Sequence, residues 1–152
     1  MRIKIPPPVA ALLASVFIWG SAPSAVSLSG ESQALFVSIL AGCLFLSGCL
    51  VIGLALVQFR QEKTTVNPFL PEKTRVLACR GIYRYSRNPM YLGMALILVA
   101  LGIQLLNPWT VLFVAGFVCF IQFNQILPEE KALGKKFGDE YYRYCREVRP
   151  WL

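Results

Sequence analysis

Four apolar runs divide this chain, at residues 8–28, 34–58, 89–106 and 109–127. At ~1.5 Å per helical residue, each is of the order needed to cross the ~30 Å hydrocarbon core of a bilayer, the third being the shortest. A segment in lipid has to satisfy its own backbone hydrogen bonds, so runs of this kind fold as helices. The expected fold class is therefore all-α, a polytopic membrane protein of about four transmembrane helices followed by a C-terminal helix. Composition agrees, with 56% hydrophobic residues and a mean hydropathy of +0.56.

The fifteen Lys and Arg residues all fall on one side of this four-span arrangement. Arg2 and Lys4 precede the first run, seven lie from Arg60 to Arg87, and six from Lys131 to Arg149. The positive-inside bias predicts both termini and the middle loop in the cytoplasm, as in a bacterial inner-membrane protein. It also accounts for the net charge of +7 through topology and attraction to anionic membrane lipids. Nucleic acid is not an expected partner, since no basic groove or binding module accompanies the charge.

Five cysteines without a Cys-x-x-Cys pair give no disulfide framework or zinc site, and the absence of histidine removes imidazole chemistry. No metal is expected. Residues 1–25 carry a second reading as a cleavable signal peptide, with Arg2 and Lys4 before an apolar run and small residues after it. A retained helix is preferred, because Pro6, Pro7 and Pro8 suit a rigid helix start.

The chain reads as a single domain, 1–152. Two N-terminal spans fill 1–58, a cytoplasmic loop 59–88, a helical hairpin 89–127 turning at Asn107 and Pro108, and a tail 128–152. In span two, Gly42, Ser47, Gly48 and Gly53 predict close helix packing. The loop is longer than ordinary connections, a length associated with binding or covering, and residues 74–79 suggest a short interfacial helix. Asn88 and Pro89 mark the start of span three as N-cap and first helical residue. That helix start beside Arg84 and Arg87 is also a place for an anion. Gln122 and Gln125 share a face near the inner end of span four, as helix-to-helix contacts or as pocket lining.

After Pro128, a new helix is expected, with Glu129 and Glu130 in its first turn, where carboxylates complement the dipole. Glu130, Leu133, Phe137, Tyr141, Tyr144 and Val148 then recur at three- and four-residue steps as one stripe. Gly138 beside the stripe predicts a bend or a close backbone contact. Tyr83, Tyr85, Arg84, Arg87 and Tyr91 read alone are an interfacial aromatic belt with snorkelling cations. The hairpin returns both polar segments to one membrane face, which favours one composite site.

These segments resemble the isoprenylcysteine carboxyl methyltransferase and phospholipid methyltransferase superfamily. The first pattern is carried by Gly81, Tyr83, Arg87, Asn88, Pro89, Tyr91 and Gly93; the second by Glu129, Glu130, Leu133, Phe137, Gly138, Tyr141, Tyr144 and Val148. The chain departs from the pattern at Asn88, where carboxyl methyltransferases carry histidine, and at Pro150, where relatives carry arginine. Arg149 is then a candidate functional cation.

The resemblance implies S-adenosyl-L-methionine as cofactor and methyl donor, held on the cytoplasmic side. It points to Tyr83, Arg87, Asn88, Pro89, Tyr91, Gly93, Gln125, Glu129, Glu130, Tyr141 and Tyr144 as cofactor-binding residues, with Glu129, Glu130 and Arg149 as catalytic candidates. The acceptor is expected to be a lipid-like or amphiphilic small molecule with a carboxylate, thiol or amine head. A carboxylate needs no base, and the lack of histidine tilts toward an acceptor already ionised. The competing readings are an NADPH-dependent membrane reductase of related architecture and a non-catalytic scaffold. Oligomeric state is left open.

Overall fold

A computed structural model describes residues 5–23, 30–61 and 79–152. The described chain is all-helical. Helix α1 spans Pro7–Gly20 and α2 spans Glu31–Gln61; a 3-10 turn at Gly81–Arg84 leads into α3, Pro89–Gln104. Helix α4, Thr110–Ile121, passes through a π turn at Gln122–Ile126 into α5, Leu127–Phe137, and α6 is Asp139–Glu147. Among the described residues, two helices are long and apolar enough to cross a membrane: α2 with 31 residues, and the continuous helix Thr110–Phe137 with 28. The apolar helices α1 and α3 have 14 and 16 residues, about 21 and 24 Å at ~1.5 Å per residue. Helix α1 ends at Gly20, and residues 24–28 of the first expected span lie outside the described residues. Helix α2 runs past residue 58 to Gln61 and takes Arg60 into its last turn. The interfacial helix expected at 74–79 falls almost entirely outside the described residues.

Polar contacts fix how the helices lie against each other. At one end of the bundle, the Asn107 side chain donates from Nδ2 to the Ile18 carbonyl at 2.7 Å, and its Oδ1 accepts the Trp109 N–H at 3.0 Å. One amide thereby supplies a partner to a carbonyl in the last turn of α1 and shapes the α3–α4 turn, where Leu106 takes φ 50°. At the other end, buried Gln125 donates from Nε2 to the Ile5 carbonyl at 3.2 Å. Helix α1 is therefore antiparallel to α4, with Ile5 beside the π turn. Between these ends lies a core of Ile18, Tyr91, Ala95, Leu98, Phe117, Ile121 and Ile126.

Helix α2 packs on α3 where two glycines meet. A Cβ built on Gly48 would lie 2.8 Å from the Gly93 carbonyl oxygen, and one on Gly93 2.7 Å from the Gly48 carbonyl oxygen. The backbones touch there with no room for side chains. Ala41 and Ala55 on the same helix are also buried, while Leu35, Phe36, Leu46 and Leu50 are exposed, as suits a helix with one face on α3 and another in lipid.

Pro128 does not start a new helix. It lacks an N–H and its ring crowds the carbonyl four residues back, that of Asn124. The π turn immediately upstream widens the ladder there, and the helix continues. Glu129 and Glu130 consequently stand inside a continuous helix and not at a free N-terminus, so the dipole does not explain them. The real break comes at Gly138, with φ 53° and ψ −127°. Nothing lies within 4 Å of where its Cβ would be, so torsion rather than crowding requires glycine. The stripe survives this bend: Tyr141, Tyr144 and Val148 of the last segment pack with Leu133 and Phe137 of α5.

Candidate functional site

The site forms where the start of α3, the first turns of α5, α6 and the C-terminal residues converge. The approach to α3 is shaped by Gly81 and Ser86. Gly81 takes φ 58°, and a Cβ there would meet the Gln58 side chain of α2. Ser86 is buried, and its Oγ accepts the Asn88 N–H at 3.2 Å. That bond is a local serine turn and not a helix cap, which would accept the N–H of Met90 or Tyr91. Asn88 occupies the N-cap position but makes no capping bond. Its Nδ2 instead donates to the Pro150 carbonyl at 2.9 Å, alongside a longer bond from Ser86 Oγ at 3.4 Å.

The last residues of the chain thus form a strap across the start of α3. The Arg87 N–H donates to the Arg149 carbonyl at 3.0 Å. Trp151 donates from Nε1 to Gln122 Oε1 at 2.9 Å, reaching the π turn that also holds Ile5 through Gln125. Ile5 and the C-terminal strap therefore lie at one end of the bundle, the end that carries the site.

Beneath the strap, two neighbouring carboxylates have different partners. Glu130 Oε1 lies 2.8 Å from Arg87 Nη2, with the two side chains 24% and 12% exposed. The pair is close without hydrogen-bond alignment, and Glu130 Oε1 and Arg87 Nε are both buried with no hydrogen-bond partner. Such atoms mark a site whose polar capacity is incompletely used within the chain. Glu129 faces a phenol: the Tyr91 O–H donates to its Oε1 at 3.0 Å. Glu129 follows the apolar stretch that ends at Leu127 and lies on the polar part of the helix. Burial pushes its carboxyl up to about 7; the Tyr91 hydrogen bond opposes that rise, and the neighbouring Glu130 charge adds to it.

The tyrosines line one flank. The Tyr144 O–H donates to the Tyr83 carbonyl at 2.6 Å, pinning α6 to the 3-10 turn. The Tyr83 ring stands edge-on to Phe59 of α2 at 5.3 Å. Tyr141 is buried within the electrostatic reach of Glu130 and Arg87; burial, then its hydrogen bond with Cys145, raises its phenol and keeps it neutral.

Of the residues singled out from sequence, Tyr83, Arg87, Asn88, Tyr91, Glu129, Glu130, Tyr141 and Tyr144 converge here, and Pro89 is the buried first residue of α3. Three are placed otherwise. Gly93 serves the contact with Gly48, Gln125 holds the Ile5 carbonyl, and the Arg149 side chain is exposed while its carbonyl receives Arg87. Ser86 and Trp151 were not anticipated. The Ser-x-Asn spacing is a local-turn signal for the first; the second is a chain-end aromatic that no periodicity announces.

A family model described as phospholipid methyltransferase matches residues 36–140, from α2 to the start of α6. The chain belongs to the phospholipid methyltransferase family. Membership supports, at family level, methyl transfer from S-adenosylmethionine. An uncharacterized protein of Haemophilus influenzae is 48% identical over 63 residues, which are the whole of that protein and 41% of this chain. No solved structure matches the chain. Neither the fold nor these similarities support a reductase.

Proposed function

We propose that the protein transfers a methyl group from S-adenosylmethionine to a lipid-like or amphiphilic acceptor, at the membrane face where Ile5 and the C-terminal strap lie. The observation that carries this reading is the partly buried Arg87, paired to Glu130 with its buried Nε unbonded, between the two segments that resemble the family's motifs. An amino acid end group suits such a pair. The guanidinium has donors to spare for a carboxylate, and Glu130 offers a charge to an ammonium. The buried Tyr141 and Tyr144 give aromatic surface for an adenine or a sulfonium. The cofactor supplies a methyl group on a good leaving group; the protein's part is alignment and electrostatics.

In this reading the four apolar helices all cross or enter the bilayer, with the short α1 and α3 accommodated by local thinning, and the site faces the cytoplasm as the positive-inside bias predicts. The acceptor's tail reaches the site from the lipid side.

Calorimetric titration of the detergent-solubilised protein with S-adenosylhomocysteine tests the proposal, with NADPH as the control ligand. Saturable binding, weakened at least tenfold in a folded Arg87→Ala variant, is expected. Binding of NADPH alone, or of neither ligand, would overturn it.

A further inference from the structure

Arg87 Nε and Glu130 Oε1 are buried atoms, so a ligand that uses them reaches them only when part of the chain moves aside. The helices around them are tied to one another. Tyr91 to Glu129 joins α3 to α5, and Tyr144 pins α6 to the Tyr83 carbonyl. The strap, residues 149–152, lies outside any helix. It leaves α6 at Val148, whose backbone is extended and whose side chain is buried with Tyr141 and Tyr144. Beyond that hinge the strap is held by two carbonyls and one side chain. The Arg149 carbonyl accepts the Arg87 N–H, and the Pro150 carbonyl accepts Asn88 Nδ2 and Ser86 Oγ. Trp151 supplies the side-chain anchor: its ring packs against the core and its Nε1 donates to Gln122 Oε1 at 2.9 Å, while Arg149 and Leu152 are exposed.

The receiving side of that anchor is fixed. Gln122 opens the π turn, and three residues on, buried Gln125 holds the Ile5 carbonyl at 3.2 Å. Pro128 follows without an N–H and disfavours the tighter α register there. Movement therefore belongs to the strap and not to the helix it rests on. Trp151 and Ile5 both lie outside residues 36–140, the stretch the family model matches.

Resting on the methyltransferase reading, we infer that the Trp151–Gln122 bond is a latch, with Trp151 as a positioning residue. Closed, it holds the strap across the start of α3 and sets Arg87 and Asn88 through the Arg149 and Pro150 carbonyls. Released, it lets the cofactor enter and its product leave. Opening breaks four hydrogen bonds, those donated by Trp151, Arg87, Asn88 and Ser86, and unwinds no helix. A closed strap slows entry as well as exit, because a ligand binds only the open fraction of molecules. Weakening the latch raises the association rate together with the dissociation rate. General loosening of the site has the opposite effect on association, since it lowers the competent fraction.

The test follows tritiated S-adenosylhomocysteine onto and off the detergent-solubilised full chain, as wild type, Trp151→Phe, Gln122→Met and the double variant, with each thermal midpoint recorded to show folding. Each single variant should raise association about fivefold, the factor carried by one net hydrogen bond. Dissociation should rise further, because Arg87 is also less well held. The double variant should match the singles and not multiply them, as two ends of one bond do. Association that stays constant or falls while dissociation rises overturns the inference, as do singles whose effects multiply. Gln122→Met alters the bond from the helix side and Trp151→Phe from the strap side, so if one fails to fold the other still gives the sign. A wild type that binds no S-adenosylhomocysteine overturns the methyltransferase reading beneath. Carboxypeptidase digestion then still reads the latch: both singles should be trimmed several-fold faster than the wild type, and equal trimming overturns the latch itself.

Discussion

Replacing Gly48 by Ala places a methyl group 2.8 Å from the Gly93 carbonyl oxygen and 2.8 Å from Ile97 Cγ1, where ordinary contact begins at 3.4 Å. The side chain of Ile97 can yield, but the carbonyl belongs to the α3 backbone, so the two helices must separate. Overpacking of this kind costs about 1–3 kcal/mol, a fall in thermal midpoint of roughly 2–12 °C for a chain of this size. Gly93→Ala should behave alike, since its Cβ would meet the Gly48 carbonyl oxygen at 2.7 Å and Ile52 Cγ1 at 2.6 Å. Once the helices have parted, the second methyl finds space already made, so the double variant should lose less than the sum of the singles. Gly42 and Gly53 lie in the same helix with nothing within 4 Å of a built Cβ, and alanine at either should be neutral or slightly stabilising through helix propensity. Thermal unfolding of the four variants in one detergent decides the matter. If Gly48→Ala melts with Gly42→Ala and Gly53→Ala, the close approach of α2 and α3 is refuted. Because Gly93 lies one turn past Pro89 and two residues past Tyr91, the destabilised variants should also bind S-adenosylhomocysteine more weakly.

Three further outcomes follow from the site. Tyr144→Phe leaves the Tyr83 carbonyl without its 2.6 Å donor, and should cost about 1–2 kcal/mol in thermal or denaturant unfolding; an unchanged midpoint would show that the bond does not hold α6 in place. Trp151→Phe keeps an aromatic ring, smaller than the indole, and removes the Nε1 bond to Gln122, so limited digestion by a carboxypeptidase should become several-fold faster while the helical content stays constant. The pH dependence has a definite sign: Glu129 is raised from an ordinary 4.5 to about 7, so folding is favoured by its protonated form. That contribution is complete below pH 4.5 and lost as pH rises through 7; melting curves between pH 4 and 8 should show it, and Glu129→Gln should flatten it.

Much of the fold is legible in the sequence where one physical cause dominates. The apolar runs give helices, and the stripe from Leu133 to Val148 packs as one face despite the bend. Gly138 is legible as a bend because glycine weakens a continuous helix, a loss that a torsion open to glycine alone offsets. The errors arise where two local rules compete. Asn88 has the chemistry of an N-cap, yet its amide reaches the Pro150 carbonyl and makes no capping bond. Pro128 is a helix breaker by local rules, yet the π turn absorbs it. Gln125 and Gly93 belong to the family pattern or lie beside it, but their contacts are made with Ile5 and Gly48, partners distant in sequence that no periodicity reveals. Arg87, Tyr91, Glu129 and Glu130 are found together because the turn at Asn107 returns two helices to one level.

The Arg87–Glu130 pair bears on whether this constellation exists for stability or for a ligand. Removing two charges from water costs several kcal/mol per ion in effective terms, which mutual attraction recovers only with good geometry and satisfied neighbours. Here the geometry is incomplete: Arg87 Nε and Glu130 Oε1 are buried without hydrogen bonds. A pair in that condition adds little to folding, and apolar residues of similar volume should hold the helices as well. The double variant Arg87→Met/Glu130→Leu is therefore expected to melt at or above the wild-type temperature while losing binding of S-adenosylhomocysteine. Arg87→Met alone strands the Glu130 charge and should melt lower. If the double variant instead unfolds by more than the single, the pair is structural, and its unbonded atoms are no sign of a ligand.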